Sequence, residues 1–513
     1  MKFQFSVYFL LGIILVACNP ISERKQPPPT LEQLATTDLK LDGEQLANAY
    51  CASCHLKPDP SILDQKTWVE NVLPDMRKRL GLYLEEDFGV DLPEDVGVPK
   101  GIYSKVQLIQ RDDWQKILQY YQENSPEAPL PQANKKNPKV GIPGFELIQP
   151  KYDFVYPNLT TMLRIHPKTG QLWIGNRFRT VFILDPKKGF QRMDSIATSI
   201  APVEIRWNSE SEFEFELLTM GLMDPSNDSI GSIVKYTRKG GLWMEEMIMD
   251  SLMRPVHFLK LDLNGDNRFE YVISQFGNHL GKLSLNSDSQ PEKILSSFPG
   301  ARRTISRDLD QDGDLDLVVQ MTQSRESIRA FINDGKGDFR EKTLLEFHPA
   351  FGSSDFRLED MNSDGFDDII LVNGDNADQS QVLKNYHGVR IFLNDGKNNF
   401  EESWFYPMHG ASGLEVDDFD GDGDLDLFAI AFFPDPKQSP RQDLIYFRQE
   451  SGGDFSPFVL AKGIDSNWLT ITKGDLDLDG DQDVVVGSFE FNDLYKRPQN
   501  NWKPFIILKN MKK

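Results

Sequence analysis

Cysteine is scarce in this chain, with only Cys18, Cys51 and Cys54 among 513 residues. Three cysteines cannot build a disulfide framework, so packed cores must hold the domains together. Basic residues are also in deficit: 56 Lys and Arg against 78 Asp and Glu leave a net charge of -22. That balance argues against nucleic acid as a partner, because phosphate binding needs Lys and Arg gathered on one face. A chain this long also predicts two or more domains.

Long apolar runs are missing except at the N-terminus, where "FSVYFLLGIILVAC" ends at Cys18. The run is too short to span a bilayer as a helix and is typical of a secretory signal peptide. "LVAC" resembles the lipobox of bacterial lipoproteins, and this resemblance implies cleavage before Cys18 and lipid attachment to it. We therefore predict a signal peptide over residues 1–17, a tether over 18–39, and a lipid anchor in the bacterial cell envelope, on its periplasmic or cell-surface side. Asn19 favours the outer membrane; an ordinary signal peptide with an incidental cysteine is the alternative.

Residues 40–125 predict a small all-α domain. The segment "DQKTWVENVLPDMRKRL" places Trp68 and Met76 on one apolar stripe at helical spacing. The segment "RDDWQKILQYYQEN" predicts another amphipathic helix, with Asp112 or Asp113 as its N-cap. Six prolines then fall between residues 126 and 150, which predicts a linker at a domain boundary.

Residues 151–513 have the pattern of an all-β domain. Short runs such as "TVFILD" and "DVVVGSF" alternate with turns rich in Gly, Asn and Asp. A unit that joins an aspartate loop to an apolar strand recurs about every 50 residues, which predicts propeller blades with several strands each. Five units contain the loop and two upstream segments share the rhythm without it, so we predict seven blades. The loops begin at Asp262, Asp308, Asp360, Asp418 and Asp475.

The aspartate loops have the spacing of sites for a hard cation. Oxygen-bearing side chains occupy positions 1, 3, 5 and 9, and Gly at position 6 allows a sharp turn. Crowded carboxylates repel one another unless a cation neutralises them, so we predict about three to five Ca²⁺ ions that stabilise the fold. Asp-rich turns without metal are the alternative. The predicted ligands are Asp308, Asp310, Asp312, Asp316, Asp360, Asn362, Asp364, Asp368, Asp418, Asp420, Asp422, Asp426, Asp475, Asp477, Asp479 and Asp483.

The Asp262 loop is the least regular of the five. Asn267 stands where the other loops have glycine, and Glu270 stands at position 9. The five loops together resemble the repeats of the FG-GAP/VCBS family, which also builds the propeller of integrin α-subunits. The resemblance covers about residues 150–513 and implies a β-propeller that binds Ca²⁺. It implies no single activity, because propellers host many functions.

The stretch "CASCH" at residues 51–55 carries the most specific chemistry in the sequence. The spacing of Cys51 and Cys54 suits attachment to both vinyl groups of one porphyrin, with adjacent His55 reaching the iron, and this is the signature of c-type haem. A plain disulfide would not need His55. A zinc site would need a fourth ligand, and residues 19–161 contain no other Cys or His. A thioredoxin-like motif would follow a strand in a βαβ unit, which is missing here.

Met76 is the only methionine between residues 19 and 161, so it is the candidate for a sixth iron ligand. His/Met ligation raises the reduction potential and suits electron transfer. A core methionine and a five-coordinate iron are the alternatives. Residues 40–125 resemble a monohaem cytochrome c domain, although only 20 residues separate His55 from Met76 and many cytochromes c place this methionine later.

The whole chain resembles bacterial lipoproteins that combine a lipobox, a cytochrome c domain and a VCBS propeller. Our first hypothesis is electron transfer through one covalent haem c to or from a redox partner protein, with the propeller as docking platform. The second is an oxidoreductase centred on the propeller that passes electrons to the fused haem. The third is a module that binds a protein, a glycan or another small ligand.

Segments that break the repeat, such as "NGDNADQSQVLKNYHG", favour a pocket near the central channel of the propeller. Runs just before each aspartate loop should lie on innermost strands, where polar side chains converge; contacts between blades are the alternative role. The candidates are Arg254, His257, Arg302, Arg303, Asp375, His387, His409 and Trp468. No Ser-His-Asp arrangement, phosphate-binding Gly loop or zinc signature is evident, so the sequence assigns no catalytic residue.

Overall fold

The computed structural model describes residues 40–84, 87, 102–150, 159–208, 211, 213–287, 291–323, 325–377, 380–450, 452–461, 464, 466–490 and 503–512. The predicted signal peptide at 1–17, the lipidation site Cys18 and the tether to residue 39 lie outside these ranges. Within them, every helix is too short or too polar to cross a membrane.

The N-terminal part is helical, as the sequence predicts. Its elements are α1 (Gly43–Tyr50), α2 (Gln65–Thr67), a π-helical turn (Trp68–Val72), α3 (Leu73–Arg79) and α4 (Arg111–Asn124), with 3-10 turns at Cys51–Ser53 and Pro60–Ile62. Asp42 begins α1 with a capping box, in which its side chain and that of Gln45 each bond the other's backbone N–H. Helix α4 begins after Gln110, so the N-cap prediction is wrong. Asp112 and Asp113 lie in its first turn, where carboxylates stabilise the helix dipole.

Two aromatic side chains hold the helical core together. The rings of Trp68 and Tyr121 lie 4.7 Å apart between centroids. Trp68 Nε1 donates to the carbonyl of Pro60 at 2.8 Å, and the Tyr121 hydroxyl donates to that of Pro58 at 3.0 Å. Because both polar atoms are satisfied, the rings are buried without an unpaired donor. These bonds fix the segment that follows "CASCH".

The described residues from 139 onwards form seven sheets. Strands β1 (Lys139–Val140) and β2 (Phe145–Ile148) come first in the sequence and join the last two blades. Blade 1 contains β3 (Thr160–Ile165), β4 (Leu172–Asn176), β5 (Thr180–Asp185) and β6 (Gln191–Ala197), with a 3-10 turn at Pro186–Lys188. Blade 2 contains β7 (Pro202–Trp207), β8 (Glu214–Thr219), β9 (Gly231–Lys239) and β10 (Leu242–Leu252). Blade 3 contains β11 (Pro255–Leu261), β12 (Glu270–Gln275), β13 (Lys282–Asn286) and β14 (Lys293–Ser296).

Each of the next four blades contains one of the four regular aspartate loops. Blade 4 contains β15 (Ala301–Arg307), β16 (Asp316–Met321), β17 (Ser327–Asn333) and β18 (Phe339–Glu346). Blade 5 contains β19 (Ser353–Glu359), β20 (Asp368–Asn373), β21 (Gly388–Asn394) and β22 (Phe400–Pro407). Blade 6 contains β23 (Ala411–Asp417), β24 (Asp426–Ala431), β25 (Leu444–Glu450) and β26 (Asp454–Val459). Blade 7 contains β27 (Trp468–Gly474), β28 (Asp483–Ser488) and β29 (Phe505–Asn510).

The first strand of each blade contacts the first strand of the next, and β27 returns to β3. This ring confirms a seven-bladed β-propeller with its first strands around the central channel. The second strands β16, β20, β24 and β28 are buried at every position. They therefore read as continuous apolar runs after each aspartate loop, which is why the repeat was visible in the sequence.

The segment expected to be a linker, residues 126–150, contributes two strands to the propeller, so that prediction is wrong for its second half. β1 pairs in parallel with β26 and becomes a fifth strand of blade 6. β2 pairs antiparallel with β29 and supplies the outer strand of blade 7, with Phe145 opposite Asn510. The propeller thus begins at residue 139 rather than 151. Runs of two and four residues are too short to show a strand pattern, and their partners lie at the far end of the chain.

The two faces of the propeller differ. The aspartate loops join first to second strands and so lie on one face, because successive turns of an antiparallel sheet alternate between its ends. The helical domain lies on the opposite face. Arg325, between β16 and β17, donates from Nε to the carbonyl of Cys54 at 3.0 Å. Ala350 and Val382, in two further loops of that face, pack against the helical core.

Candidate functional site

The two thiols of "CASCH" lie directly after the C-terminal end of α1. Cys51 begins the 3-10 turn directly after the helix and is half-buried, whereas Cys54 is exposed, and both thiols are free. Burial raises the pKa of the Cys51 thiol to about 11. The pair is therefore presented as two separate thiols on a tight turn, as attachment to a single flat group requires.

One ring nitrogen of His55 forms a hydrogen bond, and the other has the orientation of a metal ligand. Its Nδ1 lies 3.0 Å from the carbonyl oxygen of Leu56, and a carbonyl only accepts, so Nδ1 must carry the proton. Nε2 then holds the lone pair, which is how a metal-binding histidine is commonly oriented. Burial lowers the pKa of His55, and the charges of Arg79 and Arg325 lower it further. The ring is thus kept neutral, and the residues fit a haem iron.

Met76 lies in α3 and is half-buried. Its side chain and that of Cys51 pack against the same helical core. The stripe predicted from Trp68 continues to Met76 even though Trp68–Val72 forms a π-helical turn. These contacts fit a sixth ligand and also fit a methionine that fills space.

The propeller contributes charged and titratable groups close to His55. Besides Arg325, it supplies His348, whose pKa is lowered to about 4 by burial and by the nearby charges of Lys384, Arg390 and His55. Sequence reasoning missed both Arg325 and His348. They lie more than 250 positions from "CASCH" in loops without a motif, and only the fold brings them there.

The regular aspartate loops share one backbone geometry, built around glycine at position 6. Gly313, Gly423 and Gly480 have φ of 97°, 99° and 99°, a left-handed conformation that strains any other residue. The turn lets these glycine N–H groups donate to the carboxylate at position 1, at 3.1 Å for Asp308 and 2.9 Å for Asp475. The loops thus have the closed shape that their spacing predicts.

Three of the loops bring three carboxylates together. In each, one oxygen of every member lies within 4.8 Å of the others, and the trios are Asp308–Asp310–Asp316, Asp418–Asp420–Asp422 and Asp475–Asp477–Asp483. Clustered carboxylate oxygens are the ligands that Ca²⁺ prefers. Asp477 also pairs with Lys509, so a cation in that loop competes with an ion pair inside the protein.

The aspartate at position 9 is fully buried in all four regular loops. Asp316 accepts from the N–H of Leu309 at 2.9 Å and from that of Asn333 at 2.8 Å, which ties the loop to the third strand of its blade. Burial raises the pKa of Asp426 to about 7 and that of Asp483 to about 6. A bound cation opposes this effect, because it favours the ionised carboxylates.

The Asp360 loop has the same backbone but a weaker ligand set. Nδ2 of Asn362 donates to Asp364 at 2.9 Å, so a neutral amide stabilises this carboxylate by a hydrogen bond without metal. Among the described residues, no trio of carboxylates converges in this loop.

The Asp262 loop adopts the same closed backbone shape with different residues at two positions. Asn267 adopts a φ of 63° in place of glycine, and its N–H donates to Asp262 at 2.9 Å. Glu270 accepts from the N–H of Leu263 at 2.9 Å, the role that aspartate has at position 9 elsewhere. The loop therefore keeps its shape without the regular set of oxygen ligands.

Three of the predicted channel residues form contacts between blades. Arg303 donates from Nε to Asp355 at 2.6 Å, joining blades 4 and 5. His257 Nδ1 accepts from the N–H of Thr304 at 3.4 Å, joining blades 3 and 4. Trp468 is fully buried in the apolar cluster shared by blades 6 and 7. For these residues the structure favours the packing role.

The other five candidates lie near the face that carries the helical domain. Arg254, Arg302 and Asp375 are electrostatic neighbours on the face that carries the helical domain: burial lowers the pKa of Arg254 to about 10, Arg302 lowers it further, and Asp375 opposes the shift. His387 lies in the loop between β20 and β21, and His409 lies in the loop between β22 and β23; burial lowers the pKa of both. His387 also lies beside Asp375, since Nε2 of His387 and the backbone of Asp375 both border Gly352. Five of the eight predicted residues are thus linked as neighbours, and the other three pack between blades.

Comparison with known proteins identifies the repeat. Residues 308–371, 372–429 and 418–486 match the FG-GAP-like repeat. Among curated proteins, none matches the chain.

The solved structures that resemble the chain have low sequence identity to it. The N-terminal domain of Nup159 is 10% identical, covers 73% of this chain and 99% of its own, and has a TM-score of 0.43. Sqt1 of Saccharomyces cerevisiae is 10% identical, covers 72% and 98%, and scores 0.42. The β-propeller domain of Cps50 (Swd1) from Myceliophteria thermophila is 11% identical, covers 71% and 99%, and scores 0.43. Strand pairing and the repeat match together establish that the chain contains a seven-bladed β-propeller with FG-GAP-like repeats.

Proposed function

We propose that this protein is a membrane-anchored c-type cytochrome that transfers electrons outside the cytoplasm, with a Ca²⁺-stabilised propeller as its docking platform. The observation that carries the proposal is the state of His55. Its Nδ1 proton is held by the Leu56 carbonyl and its Nε2 is left to bind iron, beside two free thiols at the spacing of haem attachment.

Four residues would hold the haem. Cys51 and Cys54 would form the thioether bonds, His55 would bind the iron, and Met76 is the candidate for the sixth position. The bound haem would supply a reversible one-electron change. The helical core around Trp68 excludes water from the buried side of the site.

The charges around His55 favour a raised reduction potential. Arg79 of the helical domain and Arg325 of the propeller both act on this ring. Positive charge stabilises the reduced state relative to the oxidised one, because reduction removes one unit of positive charge from the site. The propeller would thus tune the redox centre as well as carry it.

The test is the pyridine haemochrome spectrum of the full chain, expressed with a haem-maturation system. We expect a c-type spectrum and a haem stain that survives denaturing electrophoresis. Replacing both Cys51 and Cys54 with Ala should abolish both signals. As a matched control, Cys18→Ala should keep the haem and release the protein from membranes, because Cys18 is the proposed lipid site. A colourless parent protein, or an unchanged spectrum in the double variant, would disprove the proposal.

A second candidate function is a propeller-centred oxidation that delivers electrons to the haem. The grouping of Arg254, Arg302 and Asp375 on the face of the helical domain favours it. Screening sugars, alcohols and amines for substrate-dependent haem reduction separates the two functions. A carrier is reduced only by a redox partner, whereas an oxidoreductase is reduced by its substrate.

A further inference from the structure

Blades 1 and 2 have no aspartate loop, and a cavity lies between them on the face where the other blades carry one. Its volume is about 170 Å³. Trp173 forms part of the wall and is only 3% exposed. Phe213, from the turn between β7 and β8, also lines it and is 57% exposed. An aromatic ring that stays exposed beside a formed cavity offers a surface for stacking.

The aromatic part of the cavity is rigid. The rings of Trp173 and Trp243 lie 6.1 Å apart at 74°, and Phe215 packs edge-on against both of them at 5.1 and 5.2 Å. The Arg238 guanidinium lies 5.3 Å from the centre of the Trp243 ring. These contacts fix the indoles before any ligand arrives, so little side-chain entropy is lost on binding.

The two charged side chains in the wall of the cavity, Asp194 and Arg238, already form an ion pair with each other. Asp194 accepts from Trp243 Nε1 at 3.1 Å and pairs with Arg238 at 3.3 Å. A cationic ligand would have to compete with Arg238 for this carboxylate, and an anionic ligand would have to compete with Asp194 for the guanidinium. A neutral ligand with hydroxyl groups can instead add hydrogen bonds to Asp194, Arg238 and Gln171 while their pairing stays intact.

We propose that this cavity binds a neutral sugar. A sugar ring has apolar C–H faces that stack on aromatic side chains and hydroxyl groups that bond a paired carboxylate and guanidinium. The volume suits one ring rather than a long chain. The helical domain lies on the other face of the propeller, so the site functions without the haem. Through this site the protein would bind a glycan-rich surface while the redox domain, on the other face, stays accessible.

The test uses tryptophan fluorescence and saturation-transfer NMR on the full-length protein, with D-glucose, D-galactose, D-mannose and N-acetyl-D-glucosamine as probes. At least one sugar should bind with a Kd on the order of 1 mM, the affinity expected of a small site. Phe213→Ala should weaken this binding about 2- to 10-fold through lost stacking. Phe178→Ala is the matched control: Phe178 is 54% exposed in the turn between β4 and β5, on the opposite face. It should leave the Kd unchanged.

Three results would overturn the proposal. One is the absence of a response to every sugar up to about 100 mM, far above the expected Kd. Another is equal loss of binding in the Phe213 and Phe178 variants, which would place the sugar elsewhere. The third is binding of choline or acetate in preference to the sugars. Sugar binding should persist in the Cys51→Ala/Cys54→Ala variant, so failure of the haem proposal and failure of this one are distinguishable.

Discussion

The side-chain amide of Asn333 in blade 4 lies 2.7 Å from the carbonyl oxygen of Leu263, in the aspartate loop of blade 3. The same relation recurs around the ring. Asn398 of blade 5 donates to Leu309 at 2.7 Å, Gln449 of blade 6 to Met361 at 3.5 Å, and Asn510 of blade 7 to Phe419 at 2.8 Å. In each case the second residue of a loop is held by the next blade. The loops are therefore junctions between blades as well as turns within them.

We expect Asn333→Ala to destabilise the propeller. It removes the bond to the Leu263 carbonyl together with three bonds inside blade 4, one to the Leu315 carbonyl and two from the N–H groups of Gly335 and Gly337. The loss should lower the free energy of unfolding by about 1–3 kcal/mol. Urea titration followed by circular dichroism measures the change. Asn399→Ala is the control, because within the described part of the chain the exposed Asn399 side chain bonds Asp395 alone, in its own turn. Equal losses in the two variants would show that the junction adds no stability.

Removal of Ca²⁺ should loosen the same junctions. We expect chelation with EDTA to lower the melting temperature of the propeller by roughly 5 °C or more, since a ligand that binds only the folded state stabilises it. Elemental analysis of dialysed protein should find at least three Ca²⁺ ions per chain, one for each converging trio. Asp420→Asn should remove one ion. Asp262→Asn should remove none, and the prediction fails if both variants lose the same amount.

Replacement of Met76 tests the sixth ligand. Met76→Ala should lower the reduction potential and open the iron to carbon monoxide, because loss of a thioether ligand destabilises the reduced state and leaves a vacant position. Spectroelectrochemistry and the spectrum under carbon monoxide measure both effects. Met193→Ala, at an exposed position of the propeller, should change neither. Unchanged spectra in the Met76 variant would assign this residue to the core alone.

Arg325 should influence the haem from the propeller side. Arg325→Gln removes a positive charge that acts on His55, so the reduction potential should fall by about 20–40 mV, the equivalent of a partly screened charge. Arg325→Lys keeps the charge and should restore most of the potential while losing the Nε contact with Cys54. If both variants shift the potential equally, geometry rather than charge is responsible.

Acid should destabilise the propeller through His387. Burial lowers the pKa of this histidine well below its usual value, and neighbouring Lys384, His409, His348 and Arg390 lower it further. Below about pH 6.5 the unfolded chain therefore binds one more proton at this residue than the folded chain. The free energy of unfolding should fall as the pH drops, by up to about 1.4 kcal/mol per pH unit.

Urea midpoints at pH 7.5 and 5.5 measure this effect. His387→Gln should make the midpoint less dependent on pH, even if the variant is less stable overall. The same pH dependence in parent and variant would assign the acid sensitivity to other groups.

The sequence predicted those parts of the fold that repeat or that follow a local pattern. The aspartate loops were visible because glycine at position 6 and aspartate at position 9 are local requirements of one turn. The helix that contains Trp114 was visible from its spacing, although its start was not, since Gln110 forms no side-chain cap. Features that depend on distant partners were not visible. Strands β1 and β2, Arg325 against Cys54, and the cavity beside Trp243 all arise where separated segments meet.

The pairing of Phe145 with Asn510 also sets the order in which the molecule can be completed. Blade 7 takes its third strand from β29 and its fourth from β2, which is made long before it. Until β29 has been made, the ring of blades stays open and presents unpaired strand edges that can join neighbouring molecules. Deletion of β29 would leave β2 without a partner. A variant that lacks Phe505–Asn510 should therefore accumulate as aggregate instead of as a shorter, working protein.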